Sequence, residues 1–489
     1  MITYGQIRNN VPVLMGKIRK ENWGGLFWSH DITRIDAIND VAYDLFELCD
    51  GKNTVEDIIK KLMEDYEIEE EELKADITEY FINCAIGKCI KGIDVTGVED
   101  AKERLAKFET KAAEQKKALS DAIGMIGVGS GCLKAPMKVL IEFTHNCNLR
   151  CVHCFANAEC CVTEDGYLKG ELTKEQWFKV IDTIYDAGVF DVFVSGGEPL
   201  IRKDIFEIMK YIHSKGMGFC LLTNATYITE DNVELLKEYG CFKVEADLDG
   251  YNAETYDMFR GVKGAFDASV KGMKVCLEHN LPIRCNVTVT NLNIGWLKEI
   301  ADTAVEIGIG EVCCVPLEQG GRGDTNWEKL RIKDEEEAER LYREVNSYVK
   351  KKYGNKLHFI VPLENLEEEP GEKEVGFAAH WDPNGMMPPC GAGKYHCSVN
   401  PYGKMILCPT AGDAIKIEPN DLLTHSLSDI WNNSKTLIDI RNAMKPKCFG
   451  CKHILCEIAC PLATYRKYGT FTPDCLDECD LGQVVPNRV

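Results

Sequence analysis

Three cysteines stand at Cys147, Cys151 and Cys154 in the run CNLRCVHC. A structural zinc site takes four ligands and a disulfide takes two. Three thiolates on one short loop suit an iron–sulfur cube, which normally takes four, and leave one iron open to a ligand that is not protein. An open position is what a reactive cluster needs and a storage cluster does not. The zinc reading needs a fourth ligand nearby, and His153 and Cys160 are the ones at hand. A second constellation follows at Cys390, Cys397, Cys408, Cys448, Cys451, Cys456, Cys460, Cys475 and Cys479. By contrast Cys49, Cys84, Cys220, Cys241, Cys276 and Cys285 sit in apolar periodic segments. These read as small buried hydrophobes.

The setting of these thiols follows from the bulk of the chain. Its opening, MITYGQIRNNVPVLMGKIRK, has no apolar run after the basic residues, so no secretory signal is expected. No segment approaches the roughly 20 apolar residues of a membrane span. A cytoplasmic location is expected, where the thiol pool keeps most of the 24 cysteines out of disulfides. The net charge of −21 argues against nucleic acid or an anionic membrane as the main partner. At 489 residues with 45% hydrophobic content, about three folded domains are expected.

The elements that must position the cysteines can be read from periodicity. Residues 1–95 form a small α+β unit: GGLFWSHD and TRIDAI read as a hairpin, followed by three helices. The second helix starts at Thr54, with Asp57 in the place of the usual capping-box glutamate. Residues 96–134 are a charged, helix-prone linker that ends in a glycine-rich stretch. Residues 135–352 then alternate strands and helices. MKVLIEF, FDVFVSGG, GFCLLTN, FKVEADLDG, PIRCNVTVTN and EVCCVPL are six strands of a parallel sheet. Six strands do not close an eight-stranded barrel, so the fold class is α/β with a partial (β/α)6 barrel. Cys147 to Cys154 follow the first strand directly, at the end of the sheet where such barrels carry their chemistry. Residues 353–489 become rich in Cys, Gly and Pro with little periodicity, as expected of a domain held by metal more than by a core.

Taken together, these motifs resemble the radical S-adenosylmethionine (SAM) family. The resemblance implies that Cys147, Cys151 and Cys154 hold the radical 4Fe–4S cluster and are the catalytic centre. His153 stands where relatives usually place an aromatic near the adenine. The second strand ends in Gly196-Gly197-Glu198-Pro199, which matches the family motif that contacts the methionine amino group; glycines there let backbone approach a ligand closely. Thr223-Asn224 ends the third strand, and Asn224 is placed with the cofactor residues. Asp247, in DLDG, replaces a serine that contacts the cofactor in relatives, and Arg260 matches an arginine near the cofactor carboxylate.

The later cysteines resemble the auxiliary-cluster extension called SPASM. Cys390 is followed by twelve residues, Gly403, four residues and Cys408. Cys448, Cys451, Cys456 and Cys460 follow, with four residues between the middle pair where relatives have five. The resemblance implies a first auxiliary cluster on Cys390, Cys408 and Cys460. It implies a second on Cys448, Cys451, Cys456 and Cys475, with Cys479 the alternative last ligand. Cys397 either completes the first set or stands by. The cofactors implied are SAM and three 4Fe–4S clusters; a pair of zinc knuckles is the alternative for the second set.

Residues 1–95 resemble the winged-helix-like recognition element of ribosomal-peptide maturation systems. The bland alternative is a DNA-binding winged helix. The unit carries 11 basic and 19 acidic residues, a net of −8, which opposes DNA. A leader peptide is expected to add a strand beside the wing, near GGLFWSHD. The expected function is that of a sactisynthase-like radical SAM maturase, forming cysteine thioethers in a ribosomal precursor peptide. Its reductant is expected to be a flavodoxin or ferredoxin. Rival readings are carbon–carbon crosslinking, epimerisation with Cys160, Cys161 or Cys314 as hydrogen donor, sulfatase-type side-chain oxidation, and a non-catalytic electron carrier that binds peptides.

Overall fold

The computed structural model describes residues 2–22, 24–29, 34–96, 98, 100–106, 133–161, 163–362, 390–443 and 460–471. Two compact units divide the chain, Met1–Gly127 and Val128–Val489. Among the described residues no helix is long and apolar enough to cross a membrane.

In the first unit a short helix α1 (Tyr4–Ile7) leads to β1 (Val13–Leu14), which pairs antiparallel with β5 (Ile90–Lys91), and a three-stranded antiparallel sheet is built from β2 (Lys17–Glu21), β3 (Gly24–Ser29) and β4 (Arg34–Ile38), in that order. The expected hairpin is the β3–β4 pair, Gly25 opposite Ile38 and Trp28 opposite Ile35. Strand β2 was not expected, because KIRKE reads as a basic run; it pairs with the other side of β3. GGLFWS is therefore the central strand, not an edge, and β2 and β4 are the outer strands of this sheet. Helices α2 (Asp40–Glu47), α3 (Val55–Asp65) and α4 (Glu70–Ile86) follow. At the start of α3 the Thr54 hydroxyl accepts the Asp57 N–H at 3.1 Å, and Asp57 accepts the Thr54 N–H at 3.1 Å. This reciprocal cap satisfies donors that a helix start leaves free. Phe27, Phe46, Ile58 and Phe81 close a core of their own. Residues 101–106 continue as helix.

The second unit holds a nine-stranded sheet. Its consecutive parallel strands are β6 (Lys138–Glu142), β7 (Asp191–Ser195), β8 (Gly218–Leu222), β9 (Cys241–Asp247), β10 (Ile283–Val289) and β11 (Glu311–Pro316). These are the six strands of the sequence reading. Alternation along each strand sends one set of side chains to the helices. Val139 and Ile141 of β6 are fully buried, as are Trp177, Val180 and Ile181 on the helix Lys174–Asp186. Cys49, Cys84, Cys220, Cys241, Cys276 and Cys285 are all buried, as expected.

Both edges of the six-stranded core are extended. β12 (His358–Ile360) joins β11 in parallel. On the other side β13 (His396–Val399) joins β6 in parallel, and β14 (Met405–Ile406) turns back antiparallel on β13. The expectation of a C-terminal region with little core of its own needs revising for the described part. Leu427, Trp431, Leu437 and Ile440 are fully or almost fully buried in the same core as the barrel. The Trp431 indole N–H donates to the Leu133 carbonyl at 2.8 Å.

Candidate active site

The CNLRCVHC loop leaves the carboxyl end of β6 and is fastened at several points. The Cys147 N–H donates to the Glu159 carbonyl at 2.7 Å. The Arg150 and Val152 N–H groups donate to the carbonyls of Arg260 and Phe259, at 2.8 and 3.0 Å. Those carbonyls end the helix Ala253–Arg260, which Gly261 closes at φ 67°. Cys147 and Cys151 are buried and Cys154 is half-buried. The three thiols lie within electrostatic reach of one another. Donors face two of the sulfurs: the Leu149 N–H at 3.4 Å and the Asn224 amide at 3.9 Å on Cys147, and the Arg260 guanidinium at 3.4 Å on Cys151. Burial, then Glu198, pushes the Cys147 thiol up to about 12, and burial also raises Cys151 against the pull of Arg260. Thiols so placed ionise only when a metal replaces the proton. Three sulfurs on one fastened loop, two of them faced by N–H donors, fit a cluster held by thiolates.

Gly196 and Gly197 cannot be replaced without moving backbone. Gly196 has φ 141°, and a Cβ there would strike the Thr144 carbonyl; at Gly197 it would strike the Asn146 carbonyl. The next residue, Glu198, is fully buried. Its carboxylate accepts N–H groups from Leu200 at 3.0 Å and Asn224 at 2.9 Å, and the Thr223 hydroxyl at 2.9 Å. Burial outweighs these bonds and pushes the Glu198 carboxyl up to about 7. The GGEP turn and the Thr223-Asn224 strand end are thus one hydrogen-bonded unit, joined to Cys147 through Asn224.

Behind the loop lies a buried charge cluster. Arg260 is 2.5 Å from Asp249 and 3.3 Å from Asp247. Burial opposes its charge, but Asp249 and Asp247 raise the guanidinium well above its usual range. Asp247 is raised by burial, which Arg260 counters. His153 is 3.5 Å from Asp249, and burial followed by Arg260 pushes it down to about 3, so the ring is neutral at pH 7. Its Nδ1 has no hydrogen-bond partner among the described residues. The structure therefore brings His153, Glu198, Asn224, Asp247 and Arg260 to the strand-end face that carries the three cysteines. Asp249 belongs with them and was missed; its signal is the second acid of DLDG.

A larger omission is the segment after β11. The Arg322 guanidinium donates to the carbonyls of Cys151 and Ala158, each at 2.8 Å. The Arg322 N–H donates to the Cys154 carbonyl at 2.9 Å, and the Asn326 amide to the Val152 carbonyl at 2.9 Å. Gly321, at φ 51°, lies where a Cβ would meet the backbone of Cys154, Phe155 and Asn157. GGRGDTN is thus a clamp on the cysteine loop. The available signal was a double glycine just past a barrel strand.

Of the later cysteines, Cys390, Cys408 and Cys460 come together from three separate segments. The Cys390 thiol donates to Cys460, which lowers the latter, and Cys460 in turn acts on Cys408. Cys397 does not join them. It is fully buried in β13, opposite Val139 of β6, with Arg441 as the charged group that acts on it. Cys448, Cys451, Cys456, Cys475 and Cys479 lie outside the described residues. Among the suggested hydrogen donors, Cys160 and Cys161 are exposed, and Cys160 acts with Glu198 and Cys147 on the half-exposed Tyr227 at the rim. Cys314 points away: it is fully buried and acts on Tyr342 of the helix Glu335–Tyr353.

Residues 141–305 match the model of the Radical SAM superfamily. The barrel of this chain is a radical SAM domain. Residues 390–452 of this radical SAM enzyme match the iron–sulfur cluster-binding domain SPASM, and residues 33–84 match coenzyme PQQ synthesis protein D, PqqD. SAM with a 4Fe–4S cluster, and auxiliary iron–sulfur clusters, follow as its cofactors. The AdoMet-dependent heme synthase of Methanosarcina barkeri is 29% identical over 69% of this chain and 94% of that protein. The mycofactocin maturase MftC of Mycobacterium tuberculosis is 27% identical over 68% of this chain and 80% of that protein. In three dimensions the radical SAM enzyme is similar to Streptococcus suis SuiB bound to its precursor peptide SuiA. The TM-score is 0.65 at 18% identity, over 95% of this chain and 99% of SuiB. The fold is that of SPASM radical SAM enzymes.

Proposed function

We propose that this radical SAM enzyme modifies a ribosomally made precursor peptide and links a cysteine sulfur to a carbon as a thioether. The observation that carries the reading is the pairing of two thiol sets in one unit, Cys147–Cys151–Cys154 and Cys390–Cys408–Cys460, with a PqqD-type unit at the head of the chain. Bound SAM and its cluster supply a 5′-deoxyadenosyl radical that takes a hydrogen atom from the substrate. The residues named above serve that chemistry. Gly196 and Gly197 open backbone to the methionine end of SAM, and Glu198 and Asn224 set its amino group. Arg260 faces its carboxylate, and neutral His153 lines the adenine. The first auxiliary set, with three thiols, has room for a further ligand, where a substrate thiolate with a lowered pKa can dock. The second set, Cys448, Cys451, Cys456 and Cys475 or Cys479, would hold a cluster able to take up the surplus electron. A flavodoxin or ferredoxin reduces the radical cluster.

The N-terminal unit supports a peptide partner. The outer strands of its sheet are β2 and β4, and a leader strand adds beside this sheet. Its net charge of −8 favours a basic leader over DNA.

A second reading is radical oxidation of a tetrapyrrole side chain, favoured by the likeness to heme synthase. That alignment takes in 94% of the relative but only 69% of this chain. Nearly a third of the chain then has no counterpart, and a substrate-recognition unit accounts for it. The deciding experiment incubates the anaerobically reconstituted protein with SAM, dithionite and the short peptide encoded beside its gene. The expected product is lighter by two hydrogens per link and loses one alkylatable cysteine per link without a disulfide. A product lighter by two hydrogens in which every cysteine still alkylates rejects the thioether and favours a carbon–carbon link. An unchanged peptide, together with conversion of an iron porphyrin supplied in a parallel incubation, supports the tetrapyrrole reading.

A further inference from the structure

The clamp on the radical loop has a second attachment. The residues just before it, Glu318 and Gln319, are held from the C-terminal part of the chain. The Glu318 carboxylate accepts the Thr410 hydroxyl. Thr410 stands in the turn after Cys408, where the Ala411 N–H donates to the Cys408 carbonyl at 3.2 Å. The Gln319 carbonyl accepts the Arg466 guanidinium at 3.0 Å. Arg466 lies on the helix Pro461–Tyr468, for which Cys460 is the N-cap. Gly320 then passes between the two regions. A Cβ there would lie 3.3 Å from the Thr410 methyl and 3.4 Å from the Phe155 Cβ. Beyond it the short helix Gly321–Thr325 forms the clamp. That turn keeps its own bonds: the Asp324 N–H donates to the Gly320 carbonyl at 3.1 Å and the Asn326 N–H to the Arg322 carbonyl at 2.9 Å. From it Arg322 reaches the carbonyls of Cys151, Cys154 and Ala158, and Asn326 reaches that of Val152. Residues 318–326 are thus one strip, bonded at its start to the auxiliary region and at its end to the cysteine loop.

We propose that Thr410 and Arg466 are positioning residues of the radical site. They fix the start of the strip, and through it the backbone of the loop that carries Cys147, Cys151 and Cys154. The proposal rests on that loop being the seat of the SAM cluster, as the radical SAM domain implies. A short path of covalent bonds and a hydrogen-bonded turn, tied at both ends, passes a displacement on instead of absorbing it. The auxiliary region therefore helps to set SAM affinity from outside the SAM site.

The test uses the full chain, anaerobically loaded, as wild type, Thr410→Val, Thr410→Ser, Arg466→Met and Arg322→Ala, and with Thr410→Val or Arg466→Met added to Arg322→Ala. SAM affinity is read by equilibrium dialysis, and amide hydrogen exchange is followed over residues 150–158. Thr410→Val and Arg466→Met are each expected to weaken SAM binding roughly threefold, the scale of one exposed hydrogen bond, and to speed exchange in the loop. Thr410→Ser keeps the hydroxyl and is expected to restore both. On the Arg322→Ala background the same two changes are expected to weaken SAM binding no further, because the route through the clamp is already cut. A purely local role speeds exchange only around the Cys408 turn and the Cys460 helix. Wild-type SAM affinity in both Thr410→Val and Arg466→Met, or losses that add in full to that of Arg322→Ala, overturn the proposal. Weaker SAM binding with unchanged exchange over residues 150–158 overturns it as well. A wild-type chain that holds iron but binds no SAM instead overturns the cofactor assignment beneath it.

Discussion

The Arg322 Nε donates to the carbonyl oxygen of Cys151 at 2.8 Å, across 171 residues of chain. The middle cysteine of the radical loop is therefore positioned from the far side of the barrel. Its thiol is faced by Arg260 and its carbonyl by Arg322. A loop that must present three sulfurs to one cluster has little local structure to do so, and these long-range bonds supply the rigidity.

Replacing Arg322 by Ala strands the Cys151 and Ala158 carbonyls. Bonds from a charged donor to part-buried acceptors are worth about 2–3 kcal/mol. The expected result is a lower melting temperature and a radical cluster that is lost faster on dilution into chelator. Arg322→Lys keeps the charge but not the fork, and is expected to recover only part of the loss. Iron retention at wild-type rates in Arg322→Ala would show that the clamp is dispensable.

Arg260 is the buried cation beside Asp249 and Asp247. Arg260→Met leaves the Asp249 carboxylate in a dry pocket without it, with the part-exposed Asp247 beside it. Removing one partner of a buried pair costs roughly 3–5 kcal/mol. The double variant Arg260→Met with Asp249→Asn is expected to regain a good part of that stability in urea unfolding while SAM binding stays impaired. Strictly additive losses in the double variant would mean that the two side chains do not form a coupled pair.

Glu198 gives a pH prediction. Its folded carboxyl sits at about 7 against an ordinary 4.5, so the folded state holds a proton that the unfolded chain releases. Its contribution is fully present below pH 4.5 and is lost as pH rises through 7, on the order of 3 kcal/mol in all. Glu198→Gln cannot titrate. The stability difference between wild type and this variant, measured without SAM, should therefore move against wild type between pH 5 and pH 7.5. A difference that is flat across that window removes the claim.

Much of this site was legible before any coordinates. The CxxxCxxC loop and the GGEP turn are local motifs, and each sits at the end of a strand with strong periodicity. Asp249 and the Arg322–Asn326 clamp were overlooked although DLDG and the double glycine marked their places, because the backbone that Arg322 and Asn326 bind lies far away in sequence. Strands β2, β12 and β13 were missed for a related reason: they are short, and tertiary pairing makes them strands. The central place of GGLFWS in its sheet depended on finding β2. Cys397 shows the reverse limit, since spacing alone could not separate a ligand from a core residue.

For Cys397 the structure makes a definite forecast. Cys397→Ala should retain the wild-type iron content, because the thiol is directed into the core and away from the auxiliary set. It should lose about 1–2 kcal/mol of stability from the small cavity left behind. Loss of about four irons instead would identify it as a ligand.

The strand β13 has a consequence for how the molecule is made. It lies against β6, yet more than half of the chain separates the two in sequence. During synthesis β7 can dock on one side of β6 early, while the other edge must wait until residues 396–399 have been made. A bare edge is a template for unwanted pairing, and distant contacts close slowly. The C-terminal region is for the same reason no detachable cassette. A chimera joined between residues 360 and 396 imports a foreign neighbour for β6 along with its foreign cysteines, so grafts that exchange this region must match a strand as well as a ligand set.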